Sequence, residues 1–149
     1  MISCILAVPC GHLKLTEENG FITACDWTEE APFPAETALL KKAEKELEEY
    51  FKGKRKTFDL PVQPKGTAFE KDVWSVLEKI PYGHLMTYGE IAKEIGRPKA
   101  SRAVGNACGK NPVCVIIPCH RVVGKNNDGG YSNGMKYKYC LLYTSDAAD

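Results

Sequence analysis

The chain has 149 residues, a formal net charge of +1, and 44% apolar and 26% charged residues, as in a soluble globular protein of one or two domains. No apolar stretch reaches the roughly 18 residues that a membrane span needs, which predicts that the protein has no membrane partner. Seven irregularly spaced cysteines argue against a disulfide scaffold and predict a reducing, cytoplasmic location. No metal site is expected, because the spacing is too loose for a zinc finger or ribbon among Cys4, Cys10, His12 and Cys25.

The first part of the chain, residues 1–64, is predicted to form a small α/β domain. Strands are indicated over about 2–8, 12–16 and 20–27, and Asn19-Gly20 predicts a hairpin turn between the second and third strands. A helix that ends near Gly53 follows, and its apolar face is formed by Leu39, Leu40, Ala43, Leu47, Tyr50 and Phe51.

A proline-containing segment, residues 54–66, is predicted to be a linker between two parts of opposite charge. Residues 1–64 carry a net charge of −3, whereas residues 65–139 carry +6. The second part is therefore the candidate for binding an anionic partner, with a solvated basic surface as the alternative.

Two capping-box patterns, Thr67 with Glu70 and Thr87 with Glu90, predict helix starts in the second part. A further helix is expected from about Pro98 to Gly109, with small residues on one face. Two short helices joined by a glycine-containing turn form a helix-turn-helix pattern, which is typical of DNA-binding proteins.

The pentapeptide Pro118-Cys119-His120-Arg121-Val122 follows the apolar run 113–117, and we expect this segment to be a buried strand. A thiolate is a strong nucleophile and a nearby imidazole can accept the thiol proton, so Cys119 is a candidate covalent catalyst. A DNA-docking motif directly before this thiol predicts chemistry on DNA.

These residues resemble the O6-alkylguanine-DNA alkyltransferases, also called methylated-DNA–protein-cysteine methyltransferases. The resemblance runs from about Met1 to Tyr139. It is carried by the pentapeptide together with Val73-Trp74, Ile80-Pro81-Tyr82-Gly83, Thr87-Tyr88-Gly89-Glu90-Ile91-Ala92, Arg102-Ala103-Val104-Gly105-Asn106-Ala107, Asn111-Pro112 and Gly130-Tyr131-Ser132.

The resemblance implies an α+β fold in which a small ribonuclease-H-like α/β domain precedes a helical, winged helix-turn-helix-like DNA-binding domain. We expect the first domain and linker over residues 1–64, the catalytic DNA-binding domain over 65–139 and a non-native tail over 140–149. The implied activity is irreversible, single-turnover transfer of an alkyl group from O6 of guanine, or O4 of thymine, to Cys119. The implied protein is a monomer that needs no cofactor, and its partner is double-stranded DNA containing O6-alkylguanine.

The resemblance also implies a role for each residue that matches a family motif. Cys119 accepts the alkyl group, His120 takes its proton through water, Tyr88 helps to rotate the nucleotide and donates a proton towards guanine N3, and Asn111 supports the active-site turn. The base pocket is assigned to Tyr131, Ser132 and Val122, and Ser132 is expected to bond guanine O6.

The DNA contacts implied by the resemblance centre on Arg102, which fills the space left by the flipped base. A phosphate contact is the alternative for Arg102, and burial in the core is the alternative for Tyr88. The other implied DNA-binding residues, on a helix expected to lie in the minor groove, are Lys99, Ala100, Ser101, Ala103 and Gly105.

The sequence departs from the family at its end. The family has a glutamate that orients the histidine three residues after a Leu-Leu pair, whereas here Ser145 stands at that position and Asp146 is one residue further on. The last ten residues resemble a translated sequencing adapter. We therefore expect this chain to react more slowly than a family member that has the glutamate.

Two other functions fit parts of the sequence. A non-catalytic, alkyltransferase-like protein would bind lesions without reacting, although such proteins replace the cysteine that is present here. A helix-turn-helix regulator would use Cys119 as a redox sensor and would recognise a specific operator.

Overall fold

The structure is a computed structural model that describes residues 1–145, and it divides into two compact units. The first unit contains Met1–Lys65 and Pro112–Cys114, and the second contains Gly66–Asn111 and the chain from Val115 onward. Both helices and sheets are present, which confirms the predicted α+β class. Among residues 1–145, no helix combines the length and the apolar character needed to pass through a membrane.

The first unit is built on three antiparallel strands in the order β1 (Ile2–Val8), β2 (Gly11–Glu18) and β3 (Phe21–Thr28). The predicted strands are confirmed to within two residues at each end. Asn19 and Gly20 have φ angles of 52° and 81°, as a two-residue hairpin turn requires, so the predicted turn is also confirmed.

Helix α1 (Ala38–Phe51) begins where the side chain of Thr37 accepts a hydrogen bond of 3.1 Å from the Leu40 backbone N–H. Its apolar face is buried through Leu40, Ala43, Leu47 and Tyr50. Because these residues recur at intervals of three and four, burial of this face favours the helix over an extended chain.

Backbone hydrogen bonds cover the edges of the sheet. Phe33 exchanges two hydrogen bonds with Ile5 on the β1 side, and Ile22 of β3 pairs with Pro61 and Gln63. The expected linker is therefore partly ordered on the sheet, because unpaired strand edges favour such partners.

Within the described residues, the second unit contains four α-helices and a short parallel strand pair. These elements are α2 (Ala68–Leu77), β4 (Met86–Thr87), α3 (Tyr88–Glu94), α4 (Ser101–Gly109), β5 (Val122–Val123) and α5 (Met135–Cys140). A π-helical turn, Leu141–Ser145, follows α5 and lies against the segment that contains Cys119.

Both predicted capping boxes are present, at Thr67 with Glu70 and at Thr87 with Glu90. Helix α4 begins at Ser101 rather than near Pro98, because a turn closed by the Ala100 N–H and the Arg97 carbonyl precedes it. Helices α3 and α4 pack together, which confirms the helix-turn-helix corner.

The prediction of a strand that carries the pentapeptide is wrong. Residues 114–116 form a turn in which Val115 has a φ of 70°, a conformation that is unusual for a β-branched residue. Cys119–Arg121 then form one 3-10 turn before β5. A short apolar run indicates burial but does not distinguish a strand from a buried turn.

Candidate active site

The second unit contains a cavity of about 580 Å³ beside the helix-turn-helix. The residues around it come from α3, α4, the 3-10 turn and the loop before α5. They are Tyr88, Gly105, Asn106, Cys108, Gly109, Lys110, Cys119, Gly130, Tyr131 and Ser132. The cavity thus brings together five of the predicted site residues: Cys119, Tyr88, Gly105, Tyr131 and Ser132.

Cys119 is 7% exposed and lies at the start of the 3-10 turn in the cavity wall. Two hydrogen bonds of 2.8 Å converge on the carbonyl oxygen of Ile117, one from the Cys119 backbone N–H and one from Asn111 Nδ2. These contacts fix the backbone on both sides of Pro118. Asn111 therefore lies behind the site, where it can hold the turn that presents the thiol.

His120 follows Cys119 in the same 3-10 turn and is fully buried, so it does not line the cavity. The next residue, Arg121, donates a hydrogen bond of 2.8 Å from Nη1 to the carbonyl oxygen of Ile80. This contact anchors the 3-10 turn to the chain just after α2. The His120 imidazole is therefore buried in the second unit and is not part of the cavity wall.

Tyr88 is the first residue of α3 and is half-buried against α4, near Gly105. Its hydroxyl oxygen accepts a hydrogen bond of 3.0 Å from the Gly130 N–H. Because this bond uses the oxygen as an acceptor, the hydroxyl proton stays available for a group in the cavity. Tyr88 therefore lies in the cavity wall and is not closed in the core.

The loop before α5 contributes Tyr131 and Ser132 to the cavity wall. The Ser132 hydroxyl donates a hydrogen bond of 2.9 Å to the carbonyl oxygen of Gly109 at the end of α4. The Ser132 hydroxyl was expected to bond guanine O6. In this structure its proton is directed to the Gly109 carbonyl oxygen instead. Val122 is outside the lining group, and its side chain is buried in β5.

The proposed DNA-binding residues lie on α4 and the turn before it. Arg102, Lys99, Ser101 and Ala103 are exposed, whereas the other two predicted residues, Ala100 and Gly105, are partly buried. The opposite side of α4 is held by the Trp74 indole N–H, which donates a hydrogen bond of 2.9 Å to the Ala107 carbonyl oxygen. Helix α4 therefore presents a small-residue, basic surface while its other face is fixed.

Two residues beside the site carry no sequence signal for function. Cys108 lines the cavity, and burial, with a smaller effect from Cys119, raises its thiol pKa to about 12. Lys138 of α5 is fully buried and donates hydrogen bonds to the Val122 and Gly130 carbonyl oxygens. Sequence reasoning assigns a lysine to the surface, so only the tertiary structure brings Lys138 here.

The described residues, 1–145, contain no cluster of three or more His, Cys, Asp or Glu side chains that could hold a metal ion. A thiol and a phenol in the wall of one cavity, with the imidazole of the residue after the thiol buried, suit nucleophilic displacement with proton transfer.

Comparison with known proteins matches each of the two parts of the sequence to a protein family. Residues 68–145 match the family described as 6-O-methylguanine DNA methyltransferase, DNA binding domain. Residues 2–64 match the family described as 6-O-methylguanine DNA methyltransferase, ribonuclease-like domain. These matches confirm the predicted order of a ribonuclease-like domain followed by a helical DNA-binding domain.

Individual relatives agree with this assignment. The chain is 50% identical over 117 residues to the methylated-DNA–protein-cysteine methyltransferase of Methanosarcina acetivorans, covering 78% of this chain and 71% of the relative. It is 45% identical over 129 residues to the constitutive methylated-DNA–protein-cysteine methyltransferase of Bacillus subtilis, covering 80% and 78%.

Solved structures of similar proteins agree with this family assignment. The structure of Mycobacterium tuberculosis OGT in complex with DNA superposes with a TM-score of 0.86 at 36% identity, covering 97% of this chain and 94% of that one. An O6-methylguanine DNA methyltransferase from Methanococcus jannaschii superposes with a TM-score of 0.68 at 28% identity, covering 97% and 94%. On these sequence and structural matches, the chain belongs to the 6-O-methylguanine DNA methyltransferase family.

Proposed function

We propose that the protein repairs DNA by transferring an alkyl group from O6 of guanine to the sulfur of its own Cys119. The observation that carries the proposal is the position of this thiol in the wall of the 580 Å³ cavity, within the part of the chain that matches the DNA-binding domain. The relative solved in complex with DNA supports DNA as the partner.

The reaction is a single displacement at the alkyl carbon. The Cys119 thiolate forms a carbon–sulfur bond while the carbon–oxygen bond to guanine O6 breaks. Protonation of the departing guanine makes it a better leaving group, and the Tyr88 hydroxyl, whose oxygen accepts a hydrogen bond from the Gly130 N–H, is proposed to donate a hydrogen bond at the edge of the base. The thioether that remains on Cys119 is stable, so each molecule reacts once and no cofactor is consumed.

His120 is proposed to accept the thiol proton through a water molecule, because an ordinary cysteine, with a pKa of about 8.5, is mainly a thiol at neutral pH. The imidazole is buried directly after Cys119 in the same 3-10 turn. Asn111 is proposed to keep this turn in place through its hydrogen bond to Ile117.

The target atom lies inside the base stack, so the nucleotide must leave the duplex before it reaches the cavity. Arg102, the second residue of α4, is exposed. Its planar guanidinium group is proposed to fill the space that the flipped base leaves in the stack. Lys99 and the small residues of α4 are proposed to approach the sugar-phosphate backbone. Tyr131, Ser132 and Val122 are proposed to form or support the base pocket.

We also propose that the protein is a monomer and that it acts in the cytoplasm. A monomer acting in the cytoplasm fits a protein that scans DNA and carries its own acceptor, because neither step requires a second copy. An elution volume that corresponds to a dimer at micromolar concentration would contradict the monomer.

We further propose that this chain transfers the alkyl group more slowly than a relative with the family's glutamate. Ser145 stands where that carboxylate is expected, in the turn that lies against Cys119–Arg121. A serine cannot stabilise an imidazolium as a carboxylate does. The expected alternative acid, Asp146, lies outside the described residues.

The decisive experiment uses a duplex oligonucleotide with one O6-methylguanine and mass spectrometry of the intact protein. We expect a gain of one methyl group, mapped to the Cys119 peptide, with stoichiometric loss of the lesion. The Cys119→Ser variant should bind the duplex but gain nothing. Binding by the unmodified chain without transfer over many hours would instead favour the lesion-binding alternative, and operator-specific binding would favour the regulator.

A further inference from the structure

Cys108 and Cys119 both line the cavity of the second unit, Cys108 from the last turn of α4 and Cys119 from the 3-10 turn. The two residues are 8% and 7% exposed, and both side chains are thiols rather than disulfides. The alkyl transfer proposed above uses only the sulfur of Cys119. A second thiol therefore lies in the wall of the same cavity without a part in that reaction.

A short series of hydrogen bonds connects the backbones of the two cysteines through Asn111. The Asn111 backbone N–H donates to the carbonyl oxygen of Cys108 at 3.3 Å, and Asn111 Nδ2 donates to that of Ile117 at 2.8 Å. The Ile117 oxygen also accepts the Cys119 backbone N–H at 2.8 Å. Asn111 thus holds the end of α4 and the turn of the nucleophile together, so both thiols are kept at one cavity.

The two sulfur atoms are near enough for the charge of one to act on the other. Burial raises the pKa of the Cys108 thiol to about 12, and the negative charge of Cys119 adds a smaller upward effect. Cys108 is therefore protonated at neutral pH, whereas Cys119 is the sulfur proposed to lose its proton to His120. An oxidant should attack Cys119 first, because a thiolate reacts and a thiol does not.

We propose that Cys108 and Cys119 form a redox pair, in which hydrogen peroxide or another hydroperoxide converts the two thiols to a disulfide and so withdraws Cys119 from alkyl transfer until the disulfide is reduced. The inference rests on the proposed function for the reactivity of Cys119, and it adds a reversible modification of the same sulfur. A disulfide and an alkyl group exclude each other, because the Cys119 sulfur can carry only one of them.

The oxidation takes two steps and transfers two electrons to the peroxide. First, the Cys119 thiolate attacks one peroxide oxygen, the O–O bond breaks, and hydroxide leaves and takes up the former thiol proton, which gives a sulfenic acid and water. Second, the Cys108 sulfur attacks the Cys119 sulfur, the S–O bond breaks, and the hydroxyl group leaves as water with the Cys108 proton. The first step removes the negative charge of Cys119, which makes the Cys108 proton easier to lose in the second.

The presence of Cys108 decides the fate of the sulfenic acid. A neighbouring thiol converts a sulfenic acid to a disulfide that thiol reductants reverse, whereas further peroxide converts an isolated one irreversibly to a sulfinic acid. A cysteine that served packing alone would leave this outcome unchanged. The product at Cys119 and its reversibility therefore test the proposal.

The test compares Cys108→Ala with Cys114→Ala, since Cys114 is buried as well but is not among the residues that line the cavity. Each chain is treated with hydrogen peroxide, blocked with iodoacetamide and digested with trypsin without reduction. We expect peptides 103–110 and 111–121 to be joined by a disulfide in the unmodified chain and in Cys114→Ala. Because Cys114 and Cys119 share one peptide, the joined peptides of Cys114→Ala identify Cys119 as the partner of Cys108.

Reversibility is the second readout. The treated chains are reduced with dithiothreitol, and the Cys119 thiol that returns is measured by iodoacetamide labelling and peptide mass. We expect the unmodified chain and Cys114→Ala to recover most of it, and Cys108→Ala to recover about fivefold less, with the remainder as sulfinic acid. Absence of the joined peptides from Cys114→Ala, or equal recovery by the two variants, would overturn the proposal.

The first readout does not depend on the folding of Cys108→Ala, because it is made on the unmodified chain and on Cys114→Ala. Neither readout needs DNA, so failure of the proposed alkyl transfer would show separately, as a reduced chain that gains no methyl group from the O6-methylguanine duplex. Where the reduced chain does react, the oxidised chain should gain no methyl group until dithiothreitol is added. Methylation of Cys119 in the oxidised chain would overturn the proposal.

Discussion

Asn111 Nδ2 donates a hydrogen bond of 2.8 Å to the carbonyl oxygen of Ile117, and this contact connects the end of α4 to the turn that presents Cys119. The segment before that turn needs such support because Val115, within the turn 114–116, has a φ of 70°. Backbone conformations of this kind cost about 1–3 kcal/mol and persist only where surrounding contacts determine them. The nucleophile is thus positioned by a residue eight places earlier in the chain.

The first prediction concerns this contact. Asn111→Ala should lower the free energy of unfolding by about 1–3 kcal/mol, because a buried carbonyl loses one of its donors. It should also slow methylation of Cys119, because the turn is no longer fixed. Thermal unfolding and a single-turnover transfer assay measure the two effects. Asn126→Ala, at an exposed loop position, is the control, and an Asn111→Ala variant equal to it in both assays would contradict the prediction.

The second prediction separates Arg102 from Lys99. If Arg102 fills the space of the flipped base, Arg102→Ala should slow transfer from duplex DNA by about tenfold or more while hardly affecting binding to undamaged DNA. If Lys99 contacts a phosphate, Lys99→Ala should weaken binding to all sequences and reduce the slope of log affinity against log salt by about one. Binding titrations at several salt concentrations and transfer rates distinguish the two roles, and identical behaviour of the two variants would refute the assignment.

The third prediction concerns the packing of Gly66 against Trp74. A Cβ at Gly66 would lie within 2.7 Å of Cζ3 of the Trp74 ring, which is almost fully buried and bonded to α4 through its indole N–H. Gly66→Ala should therefore destabilise the protein by about 1–3 kcal/mol, because the core must shift to admit the methyl group. At Gly109 an added Cβ meets nothing within 4 Å, so Gly109→Ala should be neutral or slightly stabilising. Chemical denaturation of both variants checks the difference, and equal effects would contradict it.

The fourth prediction tests the effect of the missing glutamate. Ser145→Glu should raise the rate of methyl transfer by about tenfold or more, because positioned groups in proton transfer contribute roughly 10²–10⁴-fold. Tyr143→Glu adds the same charge at a side chain that is 74% exposed and should leave the rate unchanged. The measurement is single-turnover transfer from the O6-methylguanine duplex near neutral pH. No increase with Ser145→Glu, or an equal increase with both variants, would mean that the residue at position 145 does not limit the rate of methyl transfer.

The sequence predicted many turns and helix starts correctly because residues close together in the chain determine them. The Asn19-Gly20 turn and the two capping boxes depend on residues at most three apart, and all three are present in the structure. The apolar face of α1 follows from the periodicity of its apolar residues, which was sufficient to predict the helix. The family of the chain could be predicted because its motifs are long and occur in a fixed order.

Prediction was weaker where distant residues decide the local conformation. The run before Cys119 has the composition of a strand, yet residues 114–116 form a turn, at whose start the Cys114 N–H donates a hydrogen bond to the carbonyl oxygen of Cys25, 89 residues earlier. Likewise, part of the expected linker pairs with Ile22 of β3, because the edge of the sheet offers unpaired backbone groups.

The amino-acid sequence by itself determined the α+β class, the helix-turn-helix, the family and the identity of the candidate nucleophile, because local patterns and ordered motifs specify them. Only the tertiary structure decided how the thiol is presented and which groups surround it. It buried His120, the residue after Cys119, and brought Lys138, a residue type expected at the surface, to the Gly130 carbonyl. The physical reason is that hydrogen-bond partners far apart in the chain are chosen by packing, and no local pattern contains that choice.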